Sequence, residues 1–187
     1  MPFSQSSQLS TILVYIEETQ PKSILDVGTG MGQYGFLART NLENINLFEV
    51  NGKQAKQKLK SEWSIQIDGV EGCEIYHTPV HDYVYNNMFW GDALEILPAL
   101  SKEYDLVLAI DILEHFHQED GIRFIELLKQ LSKKAVLVST PKDFIEQQVE
   151  ANPYENHRSV WGKKDLEKCD FNQFYENQFS WISVYNQ

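Results

Sequence analysis

Ile24-Leu25-Asp26-Val27-Gly28-Thr29-Gly30-Met31-Gly32-Gln33-Tyr34-Gly35 is the stretch whose reading decides the fold. Residues 23–27 read as a buried strand carrying an acid near its end, and glycines then alternate with other residues at 28, 30 and 32. Only a residue without Cβ takes positive φ freely and lets a bulky ligand approach the backbone. Such a turn between strand and helix cradles a nucleotide-like ligand, with Asp26 supplying charge beside it. The letters from Gly30 to Gly35 also match the dinucleotide fingerprint Gly-x-Gly-x-x-Gly, and Glu49 stands where that motif expects a ribose acid. The two readings separate only further along the chain.

Working outward, 187 residues with 42% hydrophobic content suffice for one well-cored domain spanning 1–187. The net charge of −11 disfavours extended nucleic acid or an anionic bilayer as partner. Two isolated cysteines, Cys73 and Cys169, make neither a disulfide framework nor a Cys-rich zinc site. The first residues are polar, without the basic start and apolar core of a signal peptide, and no run reaches 18 apolar residues. A cytoplasmic protein is expected, with no membrane association.

Helices are expected at 10–19, closed by Pro21, at 33–40, 77–87, 93–100, 118–132 and 163–168. The helix at 118–132 carries Ile122, Ile125, Leu127, Leu128 and Leu131 as its apolar side. Strands are expected at 23–27, 64–70, 88–90, 104–110 and 135–139, the last two reading as buried on both faces. A terminal antiparallel pair is expected from 172–175 and 180–185. Residues 41–63, rich in lysine, read as an insertion or a short extra helix, and 142–161 as a substrate loop or lid bearing Phe144, Tyr154 and Trp161. Alternating strands and helices argue a mostly parallel α/β sheet.

Ligands of open α/β sheets bind beyond the carboxyl ends of the strands, where this chain places Asp26, Glu71, Asp92 and Asp111. The intervals between Glu71 and Asp92, and between Asp92 and Asp111, each hold one helix and one strand. That spacing favours Glu71 over Glu49 as the ribose acid. Taken singly, Asp92 before Ala93 reads equally well as a helix N-cap.

Asp26-x-Gly28-x-Gly30-x-Gly32, with acids at the later strand tips, resembles the first motif and general layout of class I S-adenosylmethionine-dependent methyltransferases. The resemblance runs from about Ser23 to Trp181, and the interval from Gly35 to Glu71 is longer than the family usually shows. It implies a three-layer α/β/α Rossmann-like fold with a C-terminal antiparallel strand, and S-adenosylmethionine as cofactor. It implies cofactor binding by Asp26, Gly28, Thr29, Gly30, Gly32, Glu71, Gly72, Asp92, Ala93 and Asp111. In those terms Glu71 accepts the ribose hydroxyls, Asp92 the adenine amino group, and Asp111 stands where the methionine end meets the acceptor.

Methyl transfer needs an aligned nucleophile, and a base if that nucleophile arrives protonated. His115 and His157 are the candidate catalytic bases; each reads equally well as a loop brace. Asp111, Glu114, His115 and His157, with the His-x-x-x-Trp spacing, also look similar to the metal site of small-RNA 3′-end 2′-O-methyltransferases. The same letters occur in the general family without a metal, and no metal ligand is assigned. His77 and His81 are expected on an exposed helix. The reading is methyl transfer to an oxygen, nitrogen or carbon of a small or medium-sized acceptor, by the chain alone or as a homodimer. The alternatives are the metal-assisted enzyme, an NAD(P)-dependent oxidoreductase and a non-catalytic binding protein.

Overall fold

The computed structural model describes residues 4, 6–43 and 47–187. Its main sheet has seven strands in the order β5-β4-β1-β6-β7-β9-β8. These are β1 (Ser23–Val27), β4 (Gln66–Glu71), β5 (Asn87–Trp90), β6 (Tyr104–Ile110), β7 (Ser132–Pro141), β8 (Gln173–Tyr175) and β9 (Ser180–Asn186). β5, β4, β1, β6 and β7 run parallel, whereas β9 lies antiparallel between β7 and β8. This is the α/β sheet with an antiparallel terminal pair that the sequence predicts.

The strand sequences feed two apolar layers by simple alternation. Leu25 and Val27 of β1, Val107 and Ala109 of β6, and Val136 and Val138 of β7 pack with one layer. Ile24, Leu106, Leu108, Ile110, Ala135 and Leu137 pack with the other. Each such fully buried side chain contributes about 1.5–3 kcal/mol. Helices α1 (Leu9–Thr19), α2 (Gln33–Glu43) and α3 (Pro79–Val84) cover the second layer; α4 (Ala93–Ile96), α5 (Gln118–Gln130) and α6 (Lys163–Lys168) cover the first. In α5 the buried face is Gly121, Phe124, Ile125 and Leu128, so Ile122, expected inside, is exposed. No helix among the described residues is long and apolar enough to cross a membrane.

Within 41–63 the structure shows an exposed antiparallel ribbon, β2 (Phe48–Asn51) with β3 (Gln54–Gln57), followed by a 3-10 turn at Lys60–Glu62. No extra helix forms among the described residues there; residues 44–46 lie outside them. Asn51-Gly52, with Gly52 at φ 59°, supplies the tight turn. Glu49 pairs with Lys56 in this ribbon. The helix expected at 77–87 is confined to α3, capped by Thr78, whose Oγ1 accepts the N–H of Val80 at 3.3 Å. Its His81 is buried, contrary to the expected exposed helix.

Candidate active site

β1 delivers the chain into the glycine turn, where Gly28, Gly30 and Gly32 all take positive φ (79°, 53° and 87°). The N–H groups of Gly28 and Thr29 donate to the carbonyl of Val70 at 2.9 and 3.3 Å, which fastens the turn to the tip of β4. A Cβ on Gly28 would stand 2.8 Å from Ile112 Cδ1, so only glycine fits there. At the tip of β4 the Glu71 carboxylate accepts the N–H of Gly30 at 2.7 Å and of Cys73 at 3.0 Å. Burial pushes its carboxyl above the usual range, against the pull of those two donors.

Asp92, after β5, caps α4 by accepting the N–H of Leu94 at 2.8 Å, and it also borders the same cavity. Asp92 is thus a helix N-cap that also stands on the cavity border. Asp111, after β6, takes φ 50° and hydrogen-bonds through its N–H to the Ser139 carbonyl at 2.9 Å. Its carboxylate accepts from Gln8 Nε2 at 2.6 Å and Ser139 Oγ at 3.3 Å. Gln8, preceding α1, therefore reaches into the site from the far end of the chain.

These tips enclose a cavity of about 350 Å³. Gly28, Thr29, Gly30, Glu71, Gly72, Asp92, Ala93 and Asp111 border it, as do His115, Phe116, Asp120 and Arg158. Asp26, Gly32 and His157 are not among its bordering residues. Asp26 is sealed beneath the turn, where Tyr85 donates to it at 2.6 Å and the Gly35 N–H also reaches it. Burial raises its carboxyl to about 6. Gly32 packs on Val80, 3.0 Å from where a Cβ would sit.

The 3-10 turn Leu113–His115 after β6 brings His115 to the cavity border. Glu114 is buried, its carboxylate accepting from Thr140 Oγ1 at 3.1 Å, and burial with Asp111 nearby raises its carboxyl well above the ordinary range. His115 Nδ1 faces the Asn156 carbonyl at 3.3 Å, and His157 Nδ1 faces the Ile145 carbonyl at 2.6 Å. Carbonyl oxygens only accept, so each Nδ1 carries a hydrogen, and in the neutral ring the lone pair is left on Nε2. Burial, then the neighbouring His157, lowers the His115 imidazole to about 4. The two rings lie 5.0 Å apart, and ligand atoms of Glu114, His115 and His157 all fall within 4.8 Å of one another.

Residues 142–161 are tied down along their length. The N–H groups of Arg158 and Ser159 donate to the Glu114 carbonyl, and the Arg158 guanidinium reaches the carbonyls of His115 at 2.5 Å and Pro153 at 2.8 Å. Tyr76, beyond β4, donates to Glu155 at 3.0 Å, and Asn152 donates to Tyr76 at 3.1 Å. Tyr154 covers Gly72 at the cavity mouth, whereas Trp161 is fully buried in the core and Phe144 is exposed.

No protein-family model and no curated protein matches the chain. Solved structures do. Magnesium protoporphyrin IX methyltransferase from Synechocystis PCC 6803, with bound S-adenosylhomocysteine, superimposes with a TM-score of 0.63 at 13% identity, over 96% of this chain and 82% of that one. The fold is that of class I methyltransferases. An S-adenosylmethionine-dependent methyltransferase from Archaeoglobus fulgidus matches with a TM-score of 0.60 at 15% identity, over 96% of this chain and 91% of that one. The methyltransferase domain of bacterial CtHen1-CN matches at 0.57 and 18% identity, over 97% and 98%. In this methyltransferase fold Glu71 occupies the β4 tip beside the glycine turn, and Glu49, the rival ribose acid, lies on the exposed ribbon outside the cavity border. Gly35 is not a turn residue; it lies in α2 against Tyr85.

The sequence reading did not single out Gln8, Tyr76, Tyr85 or Glu155, and it noted His81 only as a residue of an exposed helix. Only the His-x-x-x-Tyr spacing of His81 and Tyr85, which puts both on one helical side, offered a local sign of them.

Proposed function

We propose that this protein transfers a methyl group from S-adenosylmethionine to a small or medium-sized acceptor. The observation that carries the reading is one cavity bordered by the glycine turn, Glu71 and Asp92 and also by a neutral histidine, His115. The residues suit that cofactor: left-handed glycines admit it to the backbone, and the carboxylates of Glu71 and Asp92 accept from ribose and adenine donors. Thr29, Gly72 and Ala93 line its path, and Asp111 faces its methionine end. When bound, S-adenosylmethionine supplies an electrophilic methyl carbon on a sulfonium. The chain's own part is alignment of the acceptor, and removal of its proton if it arrives protonated.

His115 is the better placed base, because it borders the cavity and holds an Nε2 lone pair at neutral pH. His157, whose ring lies 5.0 Å from that of His115 but does not border the cavity, is the second candidate. The acidic chain points away from nucleic acid as acceptor, and we place the enzyme in the cytoplasm as one domain, acting alone or as a homodimer.

A second reading rests on the closeness of Glu114, His115 and His157. One carboxylate and two imidazole lone pairs suit Mn, Fe or Zn, which would lower the pKa of an acceptor hydroxyl. Chelation that changes neither activity nor thermal stability would dismiss it.

Calorimetric titration with S-adenosylhomocysteine, beside NADH and NADPH, tests the main reading. Saturable micromolar binding of S-adenosylhomocysteine alone is expected. Binding of a nicotinamide cofactor instead would replace the methyltransferase with an oxidoreductase, and binding of neither would favour a non-catalytic role.

A further inference from the structure

Beneath the glycine turn, on the side away from the cavity, lies a histidine that the reaction does not use. His81 is 1% exposed. Its Nδ1 faces the N–H of Thr78 at 3.1 Å, and a backbone N–H can only donate. The ring hydrogen therefore sits on Nε2, which points at the Gly30 carbonyl at 3.0 Å, with Thr29 Oγ1 at 3.3 Å. Two rings lie near-parallel to it, Tyr85 at 5.7 Å and 22° and His77 at 6.0 Å and 29°. Trp90 lies against it at 5.4 Å.

Gly30 is thus gripped at both ends. Its carbonyl is held by His81 from below and its N–H by Glu71 from the cavity side. We infer that His81 is a positioning residue for cofactor binding, fixing the left-handed Gly30 peptide and, through it, the orientation of the Glu71 carboxylate. A glycine held by one end alone is free to rotate, because it has no Cβ to restrict φ. Without the lower grip, Glu71 keeps its own bond to Cys73 but loses the fixed direction of its second oxygen. The tautomer matters as much as the bond. A group that merely fills the space restores the packing and not the hold on Gly30.

This inference rests on the methyltransferase reading, and one experiment separates the two. Leu and Gln are both smaller than His, and only Gln carries a terminal amide, which can place an N–H donor where His81 Nε2 stands. S-adenosylhomocysteine affinity is measured for wild type, H81L and H81Q, beside the melting temperature of each free protein. Expected is about a tenfold weaker dissociation constant for H81L, the worth of one buried hydrogen bond, and affinity within about threefold of wild type for H81Q. Equal affinities for H81L and wild type, or equal losses in both variants, overturn the inference alone. No binding by wild type overturns the cofactor reading and the inference with it. Should H81L not fold, ¹⁵N-detected imidazole spectra of the wild type decide: a protonated Nε2 on His81 is expected, and a protonated Nδ1 overturns the assignment.

Discussion

Replacing Asp26 with Asn should stabilise the fold at neutral pH. Asp26 is sealed between β1 and Tyr85, and burial raises its carboxyl from 3.8 to about 6 even though Tyr85 and Gly35 both donate to it. The native state thus binds this proton more tightly than the unfolded chain does. Above pH 6 the folded protein bears the full cost of a buried charge, about 3 kcal/mol for a shift of that size. The cost shrinks as pH falls from about 6 to 4 and vanishes below 3.8, so this group makes the protein more stable on acidification. Asn is the neutral counterpart of the protonated acid: its carbonyl can accept the Gly35 N–H, and its amide can donate to the Tyr85 oxygen. Urea denaturation of wild type and D26N, run at steps from pH 4 to 8, isolates the effect. Glu71 and Glu114 also have raised carboxyls and remain in the variant, so the difference between the two curves reports position 26 together with its charge coupling to Glu71. D26N should be more stable by about 3 kcal/mol at pH 8, with the advantage gone near pH 4. A variant less stable than wild type at pH 8, or a difference that does not change with pH, would show that the carboxylate is stabilised as an anion and would refute the burial argument.

Gly35→Ala should lower the urea midpoint by an amount equivalent to about 1–3 kcal/mol, since its Cβ would stand 2.3 Å from the Tyr85 ring and hydroxyl that secure Asp26. Trp161→Ala should cost about 3–5 kcal/mol by the same measurement, because the fully buried indole packs on Gly121 of α5 and donates to Ser159 at 2.9 Å. His115→Ala, assayed with an acceptor that loses a proton, should reduce kcat by roughly 10²–10⁴-fold while S-adenosylhomocysteine binding in calorimetry stays within about threefold. Equal losses in kcat and in that binding would make His115 a cofactor contact and not a base.

What the sequence made legible is what short stretches of chain decide. β1, β6 and β7 announce themselves as apolar runs, because a strand buried on both faces needs no partner to be recognised. The turn that follows β1 needs glycines within five residues of one another, and the acids at later tips follow from strand ends. The ribbon at 48–57 escaped because both its strands are exposed, so no buried face imposes alternation; only Asn51-Gly52 marked it. Residues 142–161, which read as a loop free to act as a lid, are tied to the body of the protein. Their bonds run to Glu114, His115 and Tyr76, residues that only the folded sheet brings near.

Asp26 and His81 show the same limit from opposite sides. An acid two residues before a glycine turn looks like a ligand contact, and a histidine on a polar stretch looks like a surface residue. Tyr85, 59 positions from Asp26, reverses the first reading, and Gly30, 51 positions from His81, reverses the second. Both contacts exist because α3 packs back under the turn, with Val84 and Tyr85 in the same apolar layer as Ile24 and Tyr34. The face of the turn that meets the ligand can be read from its glycines. The face that holds those glycines in place is built by a helix that enters the chain after β4, and its residue types are ordinary until the packing is known.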